Sequence, residues 1–136
     1  MADDFDTAYR QTPHLYGEAP DQLLAEHGHR IVSGRPVLDL GSGQGRHALT
    51  LARAGYEVHA LDPSAVAVTT LAQLAEREGL PIRCLQCRFQ EFPGDHDAYA
   101  AVLVFGLLPI LTWEDIATLR AALDSWLAPG GLAFLT

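Results

Sequence analysis

The chain contains no lysine. Its nine basic residues are all arginines, scattered along the sequence and set against 17 acidic ones, for a formal net charge of −8 over 136 residues. That balance argues against nucleic acid as a partner, because a phosphate backbone needs a concentrated basic surface. No apolar run approaches the ~18 residues of a membrane helix, so no membrane span is expected. The opening Met1-Ala2-Asp3-Asp4-Phe5-Asp6 is acidic, the reverse of a secretory or transit signal, which makes the cytoplasm the expected compartment. Cysteine is scarce: Cys84 and Cys87 form one C-x-x-C. That spacing can be redox-active at a helix start, or half of a zinc site. Here it falls in Ile82–Cys87, which reads as a strand and would point the two thiols to opposite faces. No second pair exists to complete a metal site, so no metal is expected. Internal repeats and low-complexity segments are also missing.

What is present is a globular composition, 49% hydrophobic and 19% charged, at a length that suits one domain. Its most telling stretch is Val37-Leu38-Asp39-Leu40-Gly41-Ser42-Gly43-Gln44-Gly45-Arg46. An apolar strand runs into an acid and then into three glycines spaced two apart. A second strand, Tyr56–Leu61, ends in Asp62-Pro63. A strand, glycine loop, helix and strand with an acid on each strand hold a nucleoside-bearing cofactor at the carboxyl edge of a parallel sheet. Gly41 and Gly43 permit a sharp turn and close approach of a ligand to the backbone. Gly45 opens a helix whose free N–H groups and dipole attract electron-rich groups. Asp62 can accept two hydrogen bonds from a ribose diol, and Asp39 is placed to meet a cation.

A dinucleotide site would read G-x-G-x-x-G, with its third glycine where this chain has Arg46. The observed spacing is G-x-G-x-G. Asp39, two residues before the first glycine, would also repel a pyrophosphate. A cofactor with an ammonium and no phosphate fits better. At these residues the chain resembles the class I S-adenosylmethionine-dependent methyltransferases: Asp39-Leu40-Gly41-Ser42-Gly43-Gln44-Gly45 is similar to their first motif and Asp62 to their second. Leu127-Ala128-Pro129-Gly130-Gly131-Leu132 resembles the turn that leads into their fifth strand. Tyr16-Gly17-Glu18-Ala19-Pro20, followed by Leu23-Leu24, resembles the entrance segment of the small-molecule branch that includes tellurite-resistance and thiopurine-like enzymes.

The resemblance implies a Rossmann-like fold: a doubly wound, mainly parallel α/β sheet, of whose seven strands five are present. Residues 1–20, polar and broken by Pro13, Gly17 and Pro20, read as an irregular lead-in, and residues 21–136 as the cofactor-binding domain, truncated after strand five. Asp21 caps a helix through about Arg30. Further helices are expected from Arg46 to Ala54, from Ser64 to Gly79, and from Thr112, whose stripe is Ile116, Leu119, Leu123, Trp126 and Leu127. Strands are expected near Ile82–Cys87, at the continuous apolar run Ala100–Phe105, and at Leu132–Thr136. With no residues for strands six and seven, strand five is left as an apolar edge that invites a homo-oligomer.

The implied activity is methyl transfer from S-adenosylmethionine to a small-molecule acceptor. Its alternatives are a non-catalytic cofactor-binding module and a nicotinamide-dependent oxidoreductase. The expected cofactor-binding residues are Asp39, Gly41, Ser42, Gly43, Gly45, Arg46, Asp62 and Pro63, with Phe89 and Gln90 at the adenine, Phe105 past strand four, and Tyr16, with Arg46, toward the cofactor carboxylate. No catalytic residue is assigned. His14 and His47 are the histidines nearest the site, but a lone histidine more often packs than catalyses.

Overall fold

The computed structural model describes residues 2–12 and 14–136, with side chains from Phe5 onward; Met1 and Pro13 lie outside the described residues. Five parallel strands form one sheet in the order β3-β2-β1-β4-β5, where β1 is Val37–Leu40, β2 Val58–Asp62, β3 Ile82–Gln86, β4 Tyr99–Val104 and β5 Leu127–Leu135. The helices are α1 (Ala2–Gln11), α2 (Gln22–His27), α3 (Arg46–Arg53), α4 (Ala65–Glu78) and α5 (Trp113–Trp126). The expected doubly wound α/β architecture is observed.

Parallel pairing requires a crossover after every strand, and each crossover covers one face of the sheet. Alternate side chains of β1, β2 and β4 therefore enter two separate cores. Val37, Val58, Ala60, Ala101 and Leu103 pack with Ala48, Leu49, Leu51 and Ala52 of α3 and Leu71 of α4. Leu38, Leu40, Leu61, Val102 and Val104 pack with Leu119 and Trp126 of α5. Cys84 joins the first core and Cys87 borders the second, and both are free thiols. The opposite-face reading of the C-x-x-C is thus observed.

The helix boundaries follow local capping chemistry. The Ser64 hydroxyl accepts from Ala67 N–H, the Thr112 hydroxyl from Asp115 N–H, and Asp21 from Leu23 N–H. Gly79 closes α4 in the left-handed conformation at φ 66°. The helix expected through Arg30 stops at His27 and tightens into a 3-10 turn, Gly28–Arg30.

Two expectations need correction. Residues 2–11 are not an irregular lead-in but the helix α1. Its polarity hides it, because its stability comes from a few contacts: Phe5 and Tyr9, one turn apart, stack at 5.9 Å, and Asp6 accepts from the Ser64 hydroxyl and, at 3.4 Å, from Val66 N–H. Pro129-Gly130-Gly131 is not a turn before the fifth strand but an irregularity inside it. Tyr99 of β4 pairs with Leu127, and Ala101 with Leu132, so the longer β5 segment bulges between these two pairs. Gly130 holds φ +80°, and a Cβ on Gly131 would sit 2.8 Å from the Ala128 carbonyl oxygen.

Candidate functional site

The sequence order reverses between β1 and β4. The chain winds outward through β2 and β3, then returns to place β4 on the other side of β1. Loops leaving the carboxyl ends of β1 and β4 part there and open a crevice. A cavity of about 350 Å³ occupies that position. Its floor is the loop Gly41–Arg46, its sides are Asp62 and Pro63 after β2 and Phe105–Leu107 after β4, and its cover is Phe5, Tyr9, Tyr16, Gly17 and Asp21 from the N-terminal segment.

The three loop glycines all have positive φ, at 66°, 54° and 92°, but they serve different purposes. A Cβ on Gly41 would meet nothing within 4 Å, so backbone conformation alone requires glycine there. A Cβ on Gly43 would lie 3.0 Å from the Tyr9 hydroxyl, inside the cavity. A Cβ on Gly45 would lie 2.3 Å from Leu71 Cδ1, so this glycine permits α3 and α4 to pack closely.

Asp62 is the keystone of the loop. Its Oδ2 accepts from Gly43 N–H at 2.9 Å and its Oδ1 from Ser64 N–H at 2.8 Å. Burial nevertheless raises its pKa against these stabilising bonds. Asp39 is 1% exposed and its Oδ2 has no hydrogen-bond partner among the described residues. Its strand neighbours are Ala60 and Leu103, which offer it nothing polar. Burial, and then the Asp62 charge, push its pKa up to about 8 against the opposing pull of Arg46. His47 stacks on Phe105 at 4.4 Å and its Nε2 accepts from Asp21 N–H at 3.0 Å. Burial, helped by Arg46, lowers its pKa to about 4. A histidine whose Nε2 lone pair is already engaged is not placed to take a proton from an acceptor.

The structure therefore brings Gly41, Ser42, Gly43, Gly45, Arg46, Asp62, Pro63, Phe105 and Tyr16 to one cavity. It does not bring the other three expected residues to the cavity wall. Asp39 lies in β1 and is closed off. Phe89 is buried in the core beside α5. Gln90 donates to Asp115 Oδ1 at 3.2 Å. The lining also includes Phe5, Tyr9 and Gln44, which sequence reasoning did not select. The one available signal for the first two was their spacing of four residues.

These features match a known family over most of the chain. Residues 37–131 fit the description "Methyltransferase domain". The chain belongs to the methyltransferase domain family. It is 31% identical over 105 residues to the ubiquinone biosynthesis O-methyltransferase of Methylocella silvestris, covering 77% of this chain and 40% of that protein. It is 35% identical over 80 residues to the probable S-adenosyl-L-methionine-dependent methyltransferase TehB of Haemophilus influenzae, covering 59% of this chain and 26% of that one. The 1,6-didemethyltoxoflavin-N1-methyltransferase of Burkholderia thailandensis, solved with bound 1,6-didemethyltoxoflavin and S-adenosylhomocysteine, superposes with a TM-score of 0.73 at 28% identity over 94% of this chain and 56% of that one. This methyltransferase domain spans less than half the length of these two curated relatives.

Proposed function

We propose that the domain binds S-adenosylmethionine in the crevice between β1 and β4 and transfers its methyl group to a small-molecule acceptor. The observation that carries this reading is Asp39 Oδ2, a buried carboxyl oxygen without a partner among the described residues, behind a loop of left-handed glycines. Buried behind the loop rather than on the cavity wall, this carboxyl acts on a ligand through its field: a cation on the loop favours its ionisation, and the ionised form disfavours a pyrophosphate. It therefore favours a cofactor bearing an ammonium over a nicotinamide dinucleotide.

The residues present fit that cofactor. Asp62 offers free lone pairs to a ribose diol beyond its two backbone bonds. Gly41 and Gly43 present a face without side chains. Arg46 lies at the rim, with long 3.4 Å contacts to the carbonyls of Tyr16 and Ala19, and can turn to a carboxylate. Phe89 and Gln90 reach an adenine only if the loop after β3 moves. When bound, the cofactor supplies an electrophilic methyl group for in-line displacement. The domain's own part is to hold donor and acceptor in attack geometry, which lowers a barrier by roughly 7–11 kcal/mol. Phe105, Leu107 and Ile110 form an apolar wall on the acceptor side. The net charge of −8 supports a small molecule over RNA.

Calorimetry with S-adenosylhomocysteine and with NADH tests the cofactor. Binding of NADH alone would sink the reading. Methyl transfer to a panel of thiols, phenols and nitrogen heterocycles, with a bulk tRNA arm, then tests the acceptor. Binding without turnover on any acceptor would favour a non-catalytic module.

The same reading extends to assembly and compartment. β5 is an edge strand whose Leu135 is exposed, which supports a homo-oligomer through that edge. Sedimentation at several concentrations tests it, and a monomer at high micromolar concentration would overturn it. The free thiols of Cys84 and Cys87 agree with a reducing cytoplasm.

A further inference from the structure

Gln44 stands between two loop glycines, yet its side-chain amide is engaged with the N-terminal segment. Its Oε1 accepts from Leu15 N–H at 2.6 Å. Its Nε2 donates to Thr12 O at 3.0 Å and to Tyr9 O at 3.5 Å. Tyr9 sits in the last turn of α1, where a helix leaves carbonyls without partners. Gln44 therefore works as a C-terminal cap for α1, supplied by a residue more than thirty positions away. The same α1 turn carries the Tyr9 ring, whose hydroxyl lies directly over Gly43.

Other ties join the same cover to the same loops. Asp6 accepts from the Ser64 hydroxyl, and His47 accepts from Asp21 N–H. Arg46 adds two long contacts to the carbonyls of Tyr16 and Ala19, whereas Gln44 makes three bonds, uses both ends of its amide, and arises from inside the glycine loop. A ligand on that loop lies beneath Phe5 and Tyr9, so lifting this segment widens its way out.

We propose that Gln44 is a positioning residue that fastens Tyr9, Thr12 and Leu15 over the glycine loop and so sets how long the bound cofactor stays. This rests on the cofactor reading above. The role rests on the side-chain amide of Gln44, which is turned to the N-terminal segment, while its backbone remains part of the cavity floor. Without its three bonds the cover opens more often, so dissociation speeds up while the loop that recognises the ligand is unchanged. Association is then expected to hold or rise, the opposite of damage to the loop itself.

The test uses the full chain, with S-adenosylhomocysteine as the probe. Two variants are compared with the parent protein: Gln44→Ala, which removes all three bonds, and Gln44→Glu, which keeps the acceptor for Leu15 N–H but turns a carboxylate toward two carbonyls. Stopped-flow binding gives the two rates, and amide exchange reports Leu15 and the β1 amides without ligand. The proposal expects koff to rise at least tenfold in both variants, with kon not reduced. It expects Leu15 exchange to accelerate in Gln44→Ala while β1 stays protected. Unchanged Leu15 exchange would overturn the tie. Accelerated exchange with parental koff would overturn its link to residence time. If β1 protection is lost in Gln44→Ala, the Gln44→Glu rates decide. Failure of the parent protein to bind the probe would overturn the cofactor reading and this proposal together, and is distinguished by appearing without any substitution.

Discussion

The backbone N–H of Asp21 donates to Nε2 of His47, 26 residues further along the chain. This one bond ties the start of α2 to the first turn of α3 and holds the imidazole neutral against Phe105.

Acid should loosen this link. The folded pKa of His47, about 4, lies below its ordinary 6.5. The unfolded chain therefore binds a proton that the folded chain refuses between those values. The stability linked to neutral His47 is fully present above pH 6.5, declines as pH falls through that window, and is gone below about 4. At ~1.4 kcal/mol per unit, the loss is on the order of 3 kcal/mol. His47→Gln keeps an acceptor but cannot titrate. Its urea-unfolding stability should depend less on pH than the parent's between 6.5 and 4; parallel curves would count against this assignment.

Gly43→Ala should weaken S-adenosylhomocysteine binding at least tenfold in a protein that still folds. The new Cβ must adopt φ +54° and press on the Tyr9 hydroxyl at 3.0 Å, with left-handed strain of roughly 1–2 kcal/mol. Adding Tyr9→Phe removes the hydroxyl contact and should recover part of the loss in a calorimetric titration. No recovery would show that Tyr9 is not what the Cβ meets.

Gly45→Ala should behave differently. Its Cβ would collide with Leu71 between two helices, an overpacking effect of about 1–3 kcal/mol added to strain at φ +92°. The denaturant midpoint should drop, and Leu71→Ala should cost less in the Gly45→Ala chain than in the parent. A purely functional role for Gly45 predicts lost binding with an unchanged midpoint.

Asp39 should give up a proton when the cofactor binds. With its pKa pushed up to about 8 it is mostly protonated at pH 7, and an ammonium nearby favours the carboxylate. Calorimetry at pH 7 in buffers of different ionisation enthalpy should register net proton release with S-adenosylhomocysteine. Asp39→Asn should abolish that release, weaken binding, and stabilise the empty protein at pH 8 and above, where the parent must bury a charge. Binding heats that do not depend on the buffer would contradict this.

Asp62→Ala should lower affinity by at least one to two orders of magnitude, since each charged hydrogen bond to the diol is worth about 1.5–3 kcal/mol. Because Asp62 also anchors Gly43 and Ser64, a deoxyribose analogue should be weakened too, but by less. Equal losses for both ligands would reduce Asp62 to a loop brace.

The α/β winding, the strand–glycine–helix unit and the place of Asp62 beside the glycine loop were legible along the chain because each is local. Capping residues such as Ser64 and Thr112 act within three positions of themselves, and a buried parallel strand announces itself as a run of apolar residues. Even the division of Cys84 and Cys87 between two faces follows from a period of two. The cover could not be read in this way. A polar helix such as α1 has little local reason to form, and exists because Ser64 and Gln44, distant in sequence, supply its partners. The same applies to Phe89 and Gln90, whose neighbours in α5 come from a crossover that closes only in three dimensions. Gly45 looked like its two companions in the loop, but Leu71 on another helix decides its role. Local chemistry placed the loop, and long-range packing decided what lies over it, because hydrogen-bond partners 20–60 residues apart leave no periodic trace in the sequence.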